Sequence, residues 1–363
     1  MKRNKKERDL ISTAASEIRR KQRSQELVND FLIQLNLYYS SPYSSYYDSA
    51  IEKRFLTQKL RYLENRFIWP NDGLVTFGAS GTDKCDVEIF FRNQDVKPQK
   101  SPDLPFRGRQ RRMGTAVVDY VQLDLVAMPG VLAKDGYEPS FVVAESNGDW
   151  LFEDAAAKRE VFEYDGVQFA IVAFPDGLLR YVPDGTDEPN IIFEYKTKAT
   201  GLLEMQSKLT RLGPDEHHVR QVVAESLVYG IREGIILYES TQKPSWFSDE
   251  ESKNVAKTRR TWADGEPVSD LYAAYVYVTD EMQERLLADL ARQARLVYEG
   301  KKPDVTVDCV QKCGFCPYYE HCRSTITPEN LAKLQEIEKK FAKSRLAGVR
   351  THQLLREYLL GGG

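Results

Sequence analysis

The 363-residue chain has little of several things. No uninterrupted apolar run approaches the roughly 20 residues that span a bilayer, and the opening MKRNKKERDL has no apolar stretch of the signal-peptide kind. These two absences predict a cytoplasmic protein with no membrane partner. There is no G-x4-G-K-[ST] stretch, so no helicase motor of the Walker type is expected in this chain, and any unwinding would need a partner such as a helicase or recombination protein. No internal repeat or low-complexity tract stands out. Net charge is only −3, which argues against a generic polyanion binder. Cysteine is scarce, yet four of the five, Cys309, Cys313, Cys316 and Cys322, fall within fourteen residues. In a reducing compartment such crowding favours a metal or cluster site over disulfides.

What is present reads as a soluble α/β protein, with 42% apolar residues able to supply a sizeable core. Residues 1–74 read as a helical N-terminal region, with Leu56, Leu60, Leu63 and Phe67 at helical spacing. A core is expected over 75–308. It begins with a helix from Arg109 to Met128 that Pro129-Gly130 should stop. Strands follow at Phe141 to Ala144, Val161 to Tyr164, Val167 to Phe174, Leu178 to Val182 and Ile191 to Lys196. A helix over His217 to Ile231 precedes strands at Ile235 to Tyr238 and Tyr272 to Val278, with a charged insertion at about 240–270 between them. A helix capped by Thr279 runs to Tyr298, then come the cysteine segment at 309–325 and a helix and tail over 326–363. This order predicts a mixed central sheet flanked by helices.

Chemistry concentrates between Phe174 and Ala199. Asp176 is expected in a Pro-Asp-Gly hairpin turn between two strands, and Glu194 and Lys196 lie two apart on the next strand, which puts them on one face. Glu-x-Lys on a strand is also the pattern of an exposed ion pair. Paired carboxylates suit a hard divalent cation such as Mg2+ or Mn2+, whose remaining shell is water and phosphate, and an ammonium can orient an attacking water and stabilise developing charge. Asp176 and Glu194 fit the first role and Lys196 the second, and the Tyr195 carbonyl could add a further hard oxygen. Basic residues gather at Arg107, Arg109, Arg111 and Arg112, where phosphate contact and plain solvated charge both fit.

These residues resemble the PD-(D/E)xK nucleases, whose metal centre uses an Asp at a strand turn and Glu-x-Lys on the following strand. The resemblance implies a restriction-endonuclease-like core and phosphodiester hydrolysis on DNA. The RecB-like members carry a Gln on the helix after the catalytic strands, and HHVRQVVAESLVYG offers Gln221, with His218 and Glu225 beside it at helical spacing. By resemblance Gln221 positions Lys196 or substrate, and His218 contacts DNA. Family members place a further ligand after a Gly on an earlier helix, but in RRMGTAVVDYVQLD that position is Val118; Asp119 is the nearest residue able to hold the metal, directly or through water, with a plain surface acid as the alternative.

Cys313, Cys316 and Cys322 form C-x2-C-x5-C, a thiolate set suited to an iron-sulfur cluster or to zinc, with Cys309 or Cys85 as the fourth ligand. Such a triplet after a nuclease core with a lone upstream cysteine resembles the iron-sulfur branch of the same family, the AddB-type helicase-nuclease subunits and small CRISPR-associated exonucleases. That branch implies a 4Fe-4S cluster on Cys85, Cys313, Cys316 and Cys322 as a structural staple, and single-stranded DNA cut from an end. A silent nucleic-acid or protein binding module on the same scaffold is the alternative, supported by Val118.

Overall fold

β-branched and aromatic runs dictate the centre of the fold. Ile191, Ile192 and Phe193 are consecutive and buried, as are Ile235, Ile236, Leu237 and Tyr238, which is the pattern of strands covered on both faces. The computed structural model describes residues 2–66, 68–94, 96–98, 105–243, 269–304, 316–318, 321 and 322. Cys309, Cys313, the 326–363 helix and most of the 240–270 insertion lie outside them.

The described chain forms two units, the first made of Met1–Pro70, Arg111–Arg159 and Val172–Gln283. Its elements are helices α1 (Lys2–Ser40), α2 (Ser49–Glu64), α4 (Pro105–Lys134) and α5 (Glu153–Ala156), strands β2 (Phe141–Val143), β3 (Glu145–Ser146), β4 (Asp149–Trp150), β7 (Gly177–Tyr181) and β8 (Ile191–Lys198), helices α6 (Leu202–Leu212) and α7 (Glu216–Tyr229), and strands β9 (Glu233–Ser240) and β10 (Leu271–Tyr277). The main sheet has the order β10-β9-β8-β7-β2. It is mixed, because β8 runs parallel to β9 and antiparallel to β7. Helices flank it, giving the α/β class expected.

Period two sorts the sheet into two faces. Ile191, Phe193 and Tyr195 of β8, with Ile235 and Leu237 of β9, join one core with Leu27, Phe31 and Leu35 of α1 and Leu125, Met128 and Leu132 of α4. The alternate residues, Ile192, Glu194 and Lys196, face α7. That helix comes so close that a Cβ built on Gly234 would sit 2.7 Å from Val222 Cγ1, which explains a glycine in an otherwise apolar strand. The turn at Gly230, with φ 74°, ends α7 in a left-handed cap.

The second unit comprises Asn71–Gln110, Glu160–Ile171 and Glu284–Gly363. Strands β1 (Thr76–Gly78), β5 (Lys158–Tyr164) and β6 (Val167–Ala173) form a sheet in the order β1-β6-β5, accompanied by α3 (Asp86–Arg92) and most of α8 (Asp280–Tyr298). Arg292 and Gln293 of α8 hold Asp86 at 2.5 and 2.8 Å, and the Tyr298 hydroxyl accepts from the Val75 amide at 2.9 Å.

Two expectations need correction, and two further features were not foreseen. Asp176 does not sit in a hairpin, because β6 pairs with β1 and β5 whereas β7 pairs with β2 and β8. Pro129-Gly130 does not stop α4, which continues to Lys134 because Met128, Val131 and Leu132 are buried and packing outweighs the lost hydrogen bond. Its stretch Gly108–Lys134 is long and apolar enough to cross a membrane by length and composition, although acids interrupt it and its apolar residues line the core just described. Leu56, Leu60 and Leu63 do lie on a helix, but each is more than half exposed; α2 buries Phe55 and Gln58 instead. The polar segment after β8 holds α6, which the pattern did not reveal.

Candidate active site

Gly177 pairs with Phe193 across the β7–β8 ladder, so Asp176, one residue earlier, comes level with Glu194. The Tyr195 amide donates to Asp176 Oδ2 at 2.7 Å and fixes that carboxylate at the strand edge. Lys196 Nζ lies 2.5 Å from Glu194 Oε2, 3.9 Å from Asp176 Oδ2 and 3.3 Å from Gln221 Oε1. Gln221 then donates to Glu225 Oε1 at 3.0 Å, one turn further along α7. The four residues singled out from the sequence, Asp176, Glu194, Lys196 and Gln221, are therefore brought together. Glu225, whose spacing also suited a solvated helix face, is fully buried with them.

Three carboxyl groups around one ammonium leave an excess of negative charge. Burial pushes the Asp176 carboxyl up to about 8, reinforced by Glu194 and opposed by Lys196. Burial also raises Glu225 well above the carboxylate range, with the Glu194 charge adding to it. Lys196 is raised despite its burial, because Glu194 and Asp176 favour the charged form. Glu194 Oε1 and Glu225 Oε2 are buried with no donor. Such orphaned oxygens are costly unless a proton or a cation meets them.

Behind Asp176 stand residues that the motif reading missed. Gln122 of α4, 2% exposed, donates to the Asp176 carbonyl at 3.0 Å and favours the charged form of the Glu153 carboxyl. The Glu153 amide donates to the Pro175 carbonyl at 2.9 Å. Asp119 forms an ion pair with Lys59 of α2 rather than reaching into the centre, and both act electrostatically on Glu153. Val118 packs partly buried against the core, consistent with its carrying no ligand. None of Gln122, Glu153 or Lys59 has a spacing signature, since the fold alone gathers them.

The remaining site residues divide. Tyr195 meets the centre through its amide, while its hydroxyl donates to Glu239 at 2.6 Å on the opposite face. His218 is 8% exposed with Nδ1 2.9 Å from the Tyr238 hydroxyl, and burial, then His217 and Lys196, drive it down to about 3. Its ring therefore faces inward against Tyr238, whereas a DNA contact was expected of it. Lys198 and Lys208 hold Asp215 at 2.6 and 2.7 Å, keeping it far below the carboxylate range despite its burial. Arg109, Arg111 and Arg112 are exposed.

In the second unit Cys85, Cys316 and Cys322 are all buried. Cys85 caps α3, accepting from the Glu88 amide at 3.4 Å. Phe91, on the same helix, meets Tyr318 and His321 at ring distances of 6.1 and 4.6 Å. Burial, then the charges of Glu88 and Cys322, push the Cys316 thiol up to about 11. The helix that follows Cys85 thus packs on the segment carrying two cysteines of the triplet.

Among the described residues no three His, Cys, Asp or Glu side chains gather as a preformed metal site. Two carboxylates nonetheless satisfy a hard cation that keeps waters and takes phosphate oxygens. Asp176 and Glu194 fit that donor set, and the orphaned Glu194 oxygen and the elevated Asp176 carboxyl are what a cation would relieve.

No family model and no curated protein matches the chain. Among solved structures it is similar to SSO0001 at 12% identity and TM-score 0.37, over 76% of this chain and 98% of that one. It is similar to an alkaline exonuclease from Laribacter hongkongensis at 12% identity and TM-score 0.34, over 63% and 92%. A phage-related exonuclease from Haemophilus somnus matches at 13% identity and TM-score 0.28, over 62% and 97%. Likenesses this weak assign neither family nor function.

Proposed function

We propose that the chain is a metal-dependent DNA nuclease of the PD-(D/E)xK type on a restriction-endonuclease-like core, acting on single-stranded DNA from an end. The observation that carries this reading is the convergence of Asp176, Glu194, Lys196 and Gln221, with more buried carboxyl groups than the one ammonium can balance when they ionise. An exposed Glu-x-Lys ion pair, the bland reading of the same motif, would not bury Glu194 completely or orphan one of its oxygens.

Asp176 and Glu194 would hold Mg2+ or Mn2+, with the Tyr195 carbonyl as a candidate third oxygen. Bound there, the cation supplies Lewis acidity toward a phosphate oxygen and makes water more acidic. Lys196 orients the attacking water and stabilises charge growing on the phosphate, and Gln221 holds the ammonium on that path. The paired carboxylates and water-excluding strands leave little to reorganise during reaction. Arg109, Arg111 and Arg112 are the exposed candidates for tracking the DNA backbone.

For the second unit we propose a 4Fe-4S cluster on Cys85, Cys313, Cys316 and Cys322 as a staple between distant segments. Burial of Cys85, Cys316 and Cys322, with Phe91 of α3 against Tyr318 and His321 beside the later two, supports it. Zinc on the same thiolates is the alternative.

Cleavage of labelled single-stranded DNA by the purified protein, with Mn2+ and with chelator, tests the nuclease reading. Degradation with Mn2+ from free ends and none on circular DNA is expected. A wild-type protein that binds DNA without cutting it would favour the silent module, to which the loss of a ligand at Val118 lends its support.

A further inference from the structure

Three non-glycine residues among those described have positive φ: Asn147 at 52°, Asp165 at 49° and Glu153 at 38°. The first two each precede a glycine of positive φ, Gly148 and Gly166, as in the two-residue turns of β-hairpins. Glu153 has no such excuse. It is neither Asn nor Asp, no glycine follows it, and a longer side chain in this region is strained. What the strained residue does is grip the Asp176 turn. Its amide donates to the Pro175 carbonyl at 2.9 Å, and its carboxylate is influenced by Gln122, whose amide donates to the Asp176 carbonyl at 3.0 Å. Two successive carbonyls of the turn are thus held by one residue and its partner.

We propose that Glu153 is a positioning residue of the Asp176–Glu194 centre: with Gln122 it fixes the Pro175–Asp176 turn so that the Asp176 carboxylate faces Glu194, and its negative charge strengthens cation binding by that pair. The inference rests on the metal-dependent reading above. Lys59, paired with Asp119, lies close enough to offset part of the charge of Glu153. The backbone strain is the cost of placing both the amide and the carboxylate against one turn.

The test is Mn2+ binding alone, counted as free ion by electron paramagnetic resonance, with Tm measured in parallel, in wild type, Glu153→Gln, Glu153→Gly and Asp176→Asn. Glu153→Gln keeps a hydrogen-bonding partner for Gln122 but removes the charge. It should weaken Mn2+ affinity about tenfold, the low end for losing a partner of a metal ligand, at an unchanged Tm. Glu153→Gly relieves the strain and removes the carboxylate, so Tm should rise while affinity falls. A structural residue would not move stability and affinity in opposite directions. Unchanged affinity in Glu153→Gln beside lost binding in Asp176→Asn would overturn this inference alone. Wild-type affinity in Asp176→Asn would overturn the metal-dependent reading and this inference with it.

Discussion

Replacing Asp176 by Asn should make the metal-free protein more stable, by an amount that grows as pH rises from about 4 to about 8. The Asn oxygen can still accept from the Tyr195 amide, so the change removes charge with little loss of geometry. An ordinary Asp titrates near 3.9, whereas burial and Glu194 lift Asp176 to about 8. A folded-state value above the unfolded one means that the folded protein binds a proton the unfolded chain releases. The contribution to stability is whole below about pH 4 and is lost as pH rises toward about 8. A shift of this size corresponds to an upper limit of about 6 kcal/mol, but Asp176 is partly exposed and shares its burden with Glu194 and Glu225; about 2 kcal/mol is the reasonable expectation. For a domain of this size that is a rise of about 5 °C in Tm. Thermal melts in chelator should therefore separate Asp176→Asn from wild type at pH 8.5 and bring them together only as pH falls to about 4 or below. Excess Mn2+ should raise the wild-type Tm at pH 8.5 and leave the variant unmoved. A variant no more stable than wild type in chelator at pH 8.5 would refute the claim that unbalanced charge is stored at this site.

The remaining expectations concern the cluster and the strand beneath α7. Prepared without oxygen, wild type and Cys309→Ser should both show the broad brown absorption of a 4Fe-4S cluster, and Cys85→Ser should lose it together with thermal stability. A colourless wild type containing zinc would remove the iron-sulfur assignment, and the reverse pattern of colours would give Cys309 the fourth position. Gly234→Ala sets a Cβ 2.7 Å from Val222 Cγ1 and should cost about 2 kcal/mol in denaturant melts; pairing it with Val222→Ala should recover most of the loss.

Part of the candidate site was legible in the sequence because a strand has a fixed period. Glu194 and Lys196 had to share a face, and an apolar approach through Ile191 to Phe193 announced a buried strand. Gln221 was singled out by its resemblance to the Gln that RecB-like nucleases carry on the helix after these strands. Burial of Glu225 was not, since a polar residue on an amphipathic helix reads as solvated until another element covers it. Lys59, Gln122 and Glu153 come from three separate segments, and no local spacing joins them. The β6–β7 connection looked like a hairpin because Pro-Asp-Gly is turn chemistry in any context, whereas pairing with β1 or β2 is decided by distant residues. Pro129 was overruled by the burial of its neighbours. The outward stripe of Leu56, Leu60 and Leu63 shows helical period without identifying the buried face.

The account stands most directly on cleavage by wild type, Glu194→Ala and Lys196→Ala, assayed side by side on end-labelled single-stranded DNA with Mn2+. Wild type should degrade the strand, and both variants should bind it and retain the cysteine-bound cofactor while losing cleavage, since each removes a group that acts on the reacting phosphate. Turnover in either variant close to that of wild type would contradict the proposed centre.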